Sequence, residues 1–221
     1  MQRILEPELM DDPEQALAYH RADFSASHGA RVAMFQRLYP RLRLSGPVLD
    51  LGCGSGDVLL RFARAFPGAQ FVGVDGSQPM LQLAQQTVAE QPLLQQRLSF
   101  QYGIIPDCAL PDEPWQLIMS HSLLHQLHRP QVLWQTIAQA APQGCAVFAA
   151  DLRRPTSIEQ AQQLVDATSA NEPEILRRDF FNSLCAAFEP DEVRAQLKSA
   201  GLDRLTVTVQ EPFHLSVHGL R

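Results

Sequence analysis

The chain has 221 residues, 45% hydrophobic and 19% charged, enough for one domain with a substantial core. Eighteen Lys and Arg against 24 Asp and Glu leave a formal charge of −6 with no basic block, which argues against a nucleic-acid footprint or an anionic membrane surface as partner. The four scattered cysteines (Cys53, Cys108, Cys145, Cys185) show no metal-ligand spacing, and the acidic N-terminus lacks the apolar core of a signal peptide; a reducing, cytoplasmic setting without a membrane span or a metal is expected.

Residues 13–39 read as helical, with Pro13 suited to a first turn, a break near Ser25-Ala26-Ser27, and a second apolar face from Val32 to Tyr39. After Gly46-Pro47, Val48, Leu49 and Leu51 form a short buried strand that carries an acid, Asp50. Gly52, Gly54 and Gly56 make a turn free of side chains at alternate positions, and Val58, Leu59, Phe62, Ala63 and Phe66 then recur at helical spacing. Strand, glycine turn and helix start together suit a nucleotide-like ligand. The dinucleotide fingerprint needs its third glycine at position 57, where this chain has Asp57, a carboxylate that would repel a pyrophosphate and tolerate a cation. A second strand, residues 69–74, ends at Asp75, placed to accept hydrogen bonds from ribose hydroxyls; Ser77 is a candidate helix cap. Leu98, Phe100 and Tyr102 alternate inward on a third strand, residues 114–120 form a fourth and 145–150 a fifth. Residues 156–188 are helical and longer than one crossover needs, hence an inserted lid. A helix from Glu189 to Gly201 and two strands around Gln210-Glu211-Pro212 close the chain.

The segments Val48–Asp57 and Val72–Leu81 resemble the first two motifs of class I S-adenosylmethionine-dependent methyltransferases. That resemblance implies a doubly wound α/β fold: a mostly parallel seven-stranded sheet ending in an antiparallel hairpin. The expected single domain divides into an N-terminal helical cap (1–45), a cofactor core (46–151), a lid (152–188) and a closing helix and hairpin (189–221). It implies S-adenosylmethionine as cofactor, held by Asp50, Gly52, Cys53, Gly54, Asp75, Gly76, Ser77, Met80, Gly103, Ile104 and Ser120. Ile104 and Gln116 depart from the family pattern, which has acids there. By the same resemblance, the cap helices bring Tyr19, Asp23, Phe24 and His28 to the substrate pocket, with plain helix packing as the alternative. No Asn/Asp-Pro-Pro-Tyr follows the fourth strand, which favours a small-molecule acceptor, methylated at N, O or S, over nucleic acid. The protein is expected as a monomer or homodimer.

The ends of the fourth and fifth strands would face that acceptor. His125 is the first candidate base, because imidazole titrates near working pH, and His121 stands four residues before it, on one face if the segment is helical. Asp151 suits an amine or a helix cap, and Arg153 or Arg154 a substrate carboxylate. Two rival readings are a catalytically silent cofactor-binding protein and an NAD(P)-dependent oxidoreductase on a related sheet.

Overall fold

The computed structural model describes residues 1–221. Seven strands form one sheet in the order β3-β2-β1-β4-β5-β7-β6: β1 (Pro47–Leu51), β2 (Gln70–Asp75), β3 (Leu98–Tyr102), β4 (Leu117–His121), β5 (Ala146–Leu152), β6 (Thr206–Gln210) and β7 (His214–Leu220). The first five run parallel, and β7 lies antiparallel between β5 and β6. The sequence-level fold is borne out. The exception within it is Tyr102, expected inward but 50% exposed at the last residue of edge strand β3.

Strand alternation sorts the core onto two faces. Leu49, Leu51, Ile118 and Val147 pack with Leu133, Trp134 and Ile137 of α6 (Gln131–Ala140) and with Val193 and Leu197 of α9 (Pro190–Ser199). Val48, Leu117, Met119 and Phe148 pack on the other face. There they meet Phe35 of α2 (Ser25–Leu38) and Leu59 and Phe62 of α3 (Asp57–Ala65). Each large apolar side chain so covered contributes about 1.5–3 kcal/mol relative to exposure.

The cap is α1 (Pro13–Arg21) followed by α2, with the break at Ala22–Phe24, slightly earlier than expected. Ser77 caps α4 (Gln78–Ala89) by accepting from the Met80 N–H at 3.3 Å. A short α5 (Pro92–Gln95) precedes β3. The lid is α7 (Ile158–Thr168) and α8 (Glu174–Ala186), joined by a cluster of Leu152, Ala161, Val165, Leu184 and Cys185. Gln116 has a structural duty at the far end of the sheet: its Oε1 accepts from the Ser45 and Gly46 N–H groups at 2.9 and 2.8 Å. No helix is long and apolar enough to cross a membrane.

Sequence reasoning did not anticipate the path of residues 1–12. They run as a strap across the strand ends. Ile4 N–H donates to Cys185 O at 3.0 Å. Arg3 donates to the carbonyls of Ala186, His125 and Leu127 and lies 4.0 Å over the Phe188 ring.

Candidate active site

Where the strand order reverses, between β1 and β4, the crevice at the strand C-terminal ends is a cavity of about 630 Å³. One half of it is built by the glycine turn. Gly52 and Gly54 hold φ of 74° and 53°, which a side chain would strain. A Cβ on Gly52 would also come within 2.9 Å of Leu123, whereas one on Gly54 would meet only Met80 Cε at 3.8 Å, so the turn is open on the cavity side. The Gly52 and Cys53 N–H groups donate to Val74 O. The Gly54 and Ser77 N–H groups donate to the two oxygens of Asp75 at 2.7 and 2.8 Å. Asp75 is thus fixed by backbone, with further lone pairs left for a ligand. Burial raises its pKa against the pull of those N–H groups.

Behind it, Asp50 is 1% exposed and its Oδ1 has no partner. Burial, and then the neighbouring Asp75, push its carboxyl well above the usual range. Asp57 does not face this ligand position alone. Its Oδ2 meets His28 Nδ1 at 2.7 Å and Arg61 Nε at 2.8 Å, tying α2 to α3. Burial opposes ionisation there, but His28 and Arg61 prevail and bring its pKa to about 2.

The other half is aromatic and histidine-rich. Tyr19, Phe24 and His28 form a ladder with ring centroids 4.8 and 4.9 Å apart, and all three line the cavity, as does Asp23. His121 closes β4 among Phe62 and Phe148, and neither of its ring nitrogens has a partner. Burial, followed by Arg31 and His28, keeps it neutral by lowering its pKa well below the ordinary value. His125 does not share a helical face with it, because β4 ends at His121 and the chain turns through Ser122 at φ 54°. Instead His125 Nδ1 meets Asp151 Oδ1 at 2.6 Å and Nε2 lies 3.4 Å from Glu6 of the strap. Burial opposes its charge, but Asp151 and Glu6 outweigh it and raise the pKa. With both nitrogens facing carboxylates, His125 is placed as a clasp between strand end and strap, not as a free base.

Four further expectations require correction in the same way. Ser120 is buried and donates to Leu51 O at 2.8 Å, stitching β4 to β1 away from the cavity wall. Asp151 spends its oxygens on His125 and on the Leu124 and Leu152 N–H groups. Arg153 reaches Glu211, and Arg154 reaches Glu189 and Glu192, around a separate depression. Neither arginine lines the main cavity. Cys53, Gly76, Ser77, Met80, Gly103 and Ile104 do line it.

Residues 48–144 match the model of the methyltransferase domain family. The fold around them is that of class I methyltransferases. Among curated relatives, a trans-aconitate 2-methyltransferase of Yersinia pestis is 35% identical over 103 residues, covering 44% of this chain and 35% of the relative. An uncharacterized methyltransferase of Schizosaccharomyces pombe is 29% identical over 87 residues, covering 38% and 31%. The chain therefore matches about a third of the length of these relatives. Among solved structures, a SAM-dependent methyltransferase from Aquifex aeolicus superimposes with a TM-score of 0.67 at 16% identity, covering 94% of this chain and 97% of that one. The plantazolicin methyltransferase BpumL, in complex with SAH, gives 0.70 at 14%, covering 94% and 90%. At such identities the likeness is one of fold.

Around the matched segment, sequence reasoning missed several cavity residues. Leu9 and Met10 come from the strap, Phe180 from α8, Phe213 and His214 from the final hairpin. Leu9 lies within 2.8 Å of a Cβ position at Gly76, and Met10 O accepts from Ser77 Oγ at 2.7 Å. Arg31 was missed as well, although a signal existed. It stands three residues after His28 and four before the buried Phe35, so its charge falls on the inward face of α2.

Proposed function

We propose that the protein moves a methyl group from S-adenosylmethionine to an N, O or S atom of a small molecule. The observation that carries this reading is the pair of acids at the glycine turn, one with both oxygens oriented by backbone N–H groups and one buried with an unpartnered oxygen. A phosphate-bearing cofactor finds no positive group there, whereas a ligand with ribose hydroxyls and an ammonium matches both acids. The donor set therefore fits S-adenosylmethionine, the compound, with its product SAH, that the solved neighbours hold. When bound, that cofactor supplies a methyl group on an activated sulfonium.

In this reading Asp75 accepts the ribose hydroxyls, Asp50 takes the ammonium, and Gly52, Cys53 and Gly54 leave room for the chain between them. Met80, Gly103 and Ile104 cover the base, with Gly76 and Ser77 shaping the turn beside it. Tyr19, Phe24 and His28 wall the acceptor, and the strap and α8 exclude water. The work left to the protein is alignment of acceptor and methyl. A small-molecule acceptor agrees with a cavity enclosed by cap and lid and with a curated relative named for trans-aconitate.

The deciding experiment is calorimetric titration with SAH, followed by mass spectrometry of a metabolite extract incubated with enzyme and methyl-labelled cofactor. Binding of SAH and one labelled product are expected. Tight NAD(P) binding without SAH binding would overturn the reading.

A further inference from the structure

The cavity has two halves, and Asp57, beside His28, and Asp179, next to Phe180, also stand on its wall. Its acidic half holds Asp50 and Asp75 at the ends of β1 and β2. Its other half lies at the ends of β4 and β5 and the start of β7, where Leu152 and His214 are register partners. Arg31 stands at that second half on α2, lining the cavity at 7% exposure. No hydrogen bond and no ion pair reaches its guanidinium, in contrast to Arg61, Arg153 and Arg154, each paired with a carboxylate. A guanidinium taken out of water without a partner is costly, so a cavity that keeps one is built for an anion that arrives later.

Its neighbours agree. His121, 9% exposed and also on the cavity wall, has two unpartnered ring nitrogens, one of which carries a proton in the neutral ring. His214 faces the same space, and burial, then the field of Arg31, bring its pKa to about 3. Tyr19 adds a phenol whose pKa burial raises to about 12, so it stays a hydrogen-bond donor. The only carboxylate with a resolved attraction to Arg31 is Asp151, whose oxygens are occupied by His125 and two backbone N–H groups.

Resting on the methyl-transfer reading, we propose that the acceptor is a small carboxylic acid, bound through its carboxylate by the unpaired, cavity-facing guanidinium of Arg31. Planar guanidinium and carboxylate match in a two-point contact that an ammonium cannot reproduce. His121 and Tyr19 donate to the remaining lone pairs, and the edge-on pair Phe180 and Phe213, centroids 5.4 Å apart, packs the acceptor's apolar body. Arg31 is thereby a specificity residue, and the site discriminates against amides because their NH₂ would oppose its N–H groups.

The test uses the full chain loaded with SAH and a panel of aliphatic and aromatic mono-, di- and tricarboxylates, each set against its own amide. At least one carboxylate should bind 10-fold or more tightly than its amide. Arg31→Gln should abolish that preference, Arg31→Lys should recover only part of it, and SAH affinity should be unchanged in both. Thermal unfolding checks the fold, and Arg31→Gln is expected to melt no lower than wild type, since the arginine has no partner to lose. Equal binding of every acid and its amide, or a preference that survives Arg31→Gln, overturns the proposal. Failure of SAH to bind sinks the methyl-transfer reading instead, and the same carboxylate comparison on the unloaded protein then judges Arg31 by itself.

Discussion

Asp50 illustrates how one carboxyl group can carry both a stability cost and a proposed ligand contact. Its folded pKa lies above the ordinary 3.8, so the cost of its charge is absent below that value and grows as pH rises. Asp50→Asn should accordingly raise the melting temperature at neutral pH by several degrees, about 1–2 kcal/mol, with the gain vanishing in acid. The same change should weaken SAH binding, and a variant that melts higher and binds equally well would separate Asp50 from the ammonium. Asp75 behaves differently, because two backbone N–H groups already hold it. Asp75→Ala should weaken SAH by about 1.5–3 kcal/mol, read by titration; unchanged affinity would remove the ribose role.

The strap, the turn after β4 and α8 form one clasp around His125. Arg3 ties the carbonyls of His125, Leu127 and Ala186, while Glu6 faces His125 Nε2 and accepts from Ser183 of α8 at 3.1 Å. The folded pKa values of His125 and Glu6 are both raised above 6.5 and 4.5 respectively, His125 against the opposing effect of burial and Glu6 because of it. For a raised pKa the stabilising contribution is complete below the unfolded value and lost as pH rises through the folded one. The clasp should therefore loosen as pH rises above 6.5 and through the raised value of His125, seen as faster amide exchange in α8 and residues 3–8. His125→Gln should flatten that pH dependence and destabilise the protein by about 3–5 kcal/mol, because Asp151 loses its buried partner. A His125 acting only as a base would alter turnover and leave α8 exchange unmoved.

At the scale of the whole molecule, the proposed function assigns a donor half to β1 and β2 and an acceptor half to β4, β5 and β7, with α2 and the strap spanning both. A ligand seated in the first half should stabilise the entire fold. At 100 times its Kd, SAH should add about 2.7 kcal/mol, a rise of roughly 5–10 °C in melting temperature.

Local order was legible: Val48–Asp57 and Val72–Ser77 declare strand, turn and helix within ten residues, where periodicity and turn chemistry act. Arg31 was readable in principle, since a charge on an inward helical face is anomalous. The histidine segment misled, because a four-residue spacing implies a shared face only on a helix and here a strand ends between them. The strap was illegible, because the partners of Arg3 lie 122 to 183 residues away and nothing in residues 1–12 encodes them.

That distance also sets an order of events. Contacts so remote in sequence carry the largest closure cost and form late. Arg3 has no seat until α8 and the turn after β4 exist, although the sheet can pair without it. The cavity should thus acquire its last wall after the core has consolidated, and ligand binding during refolding should lag the burial of Trp134.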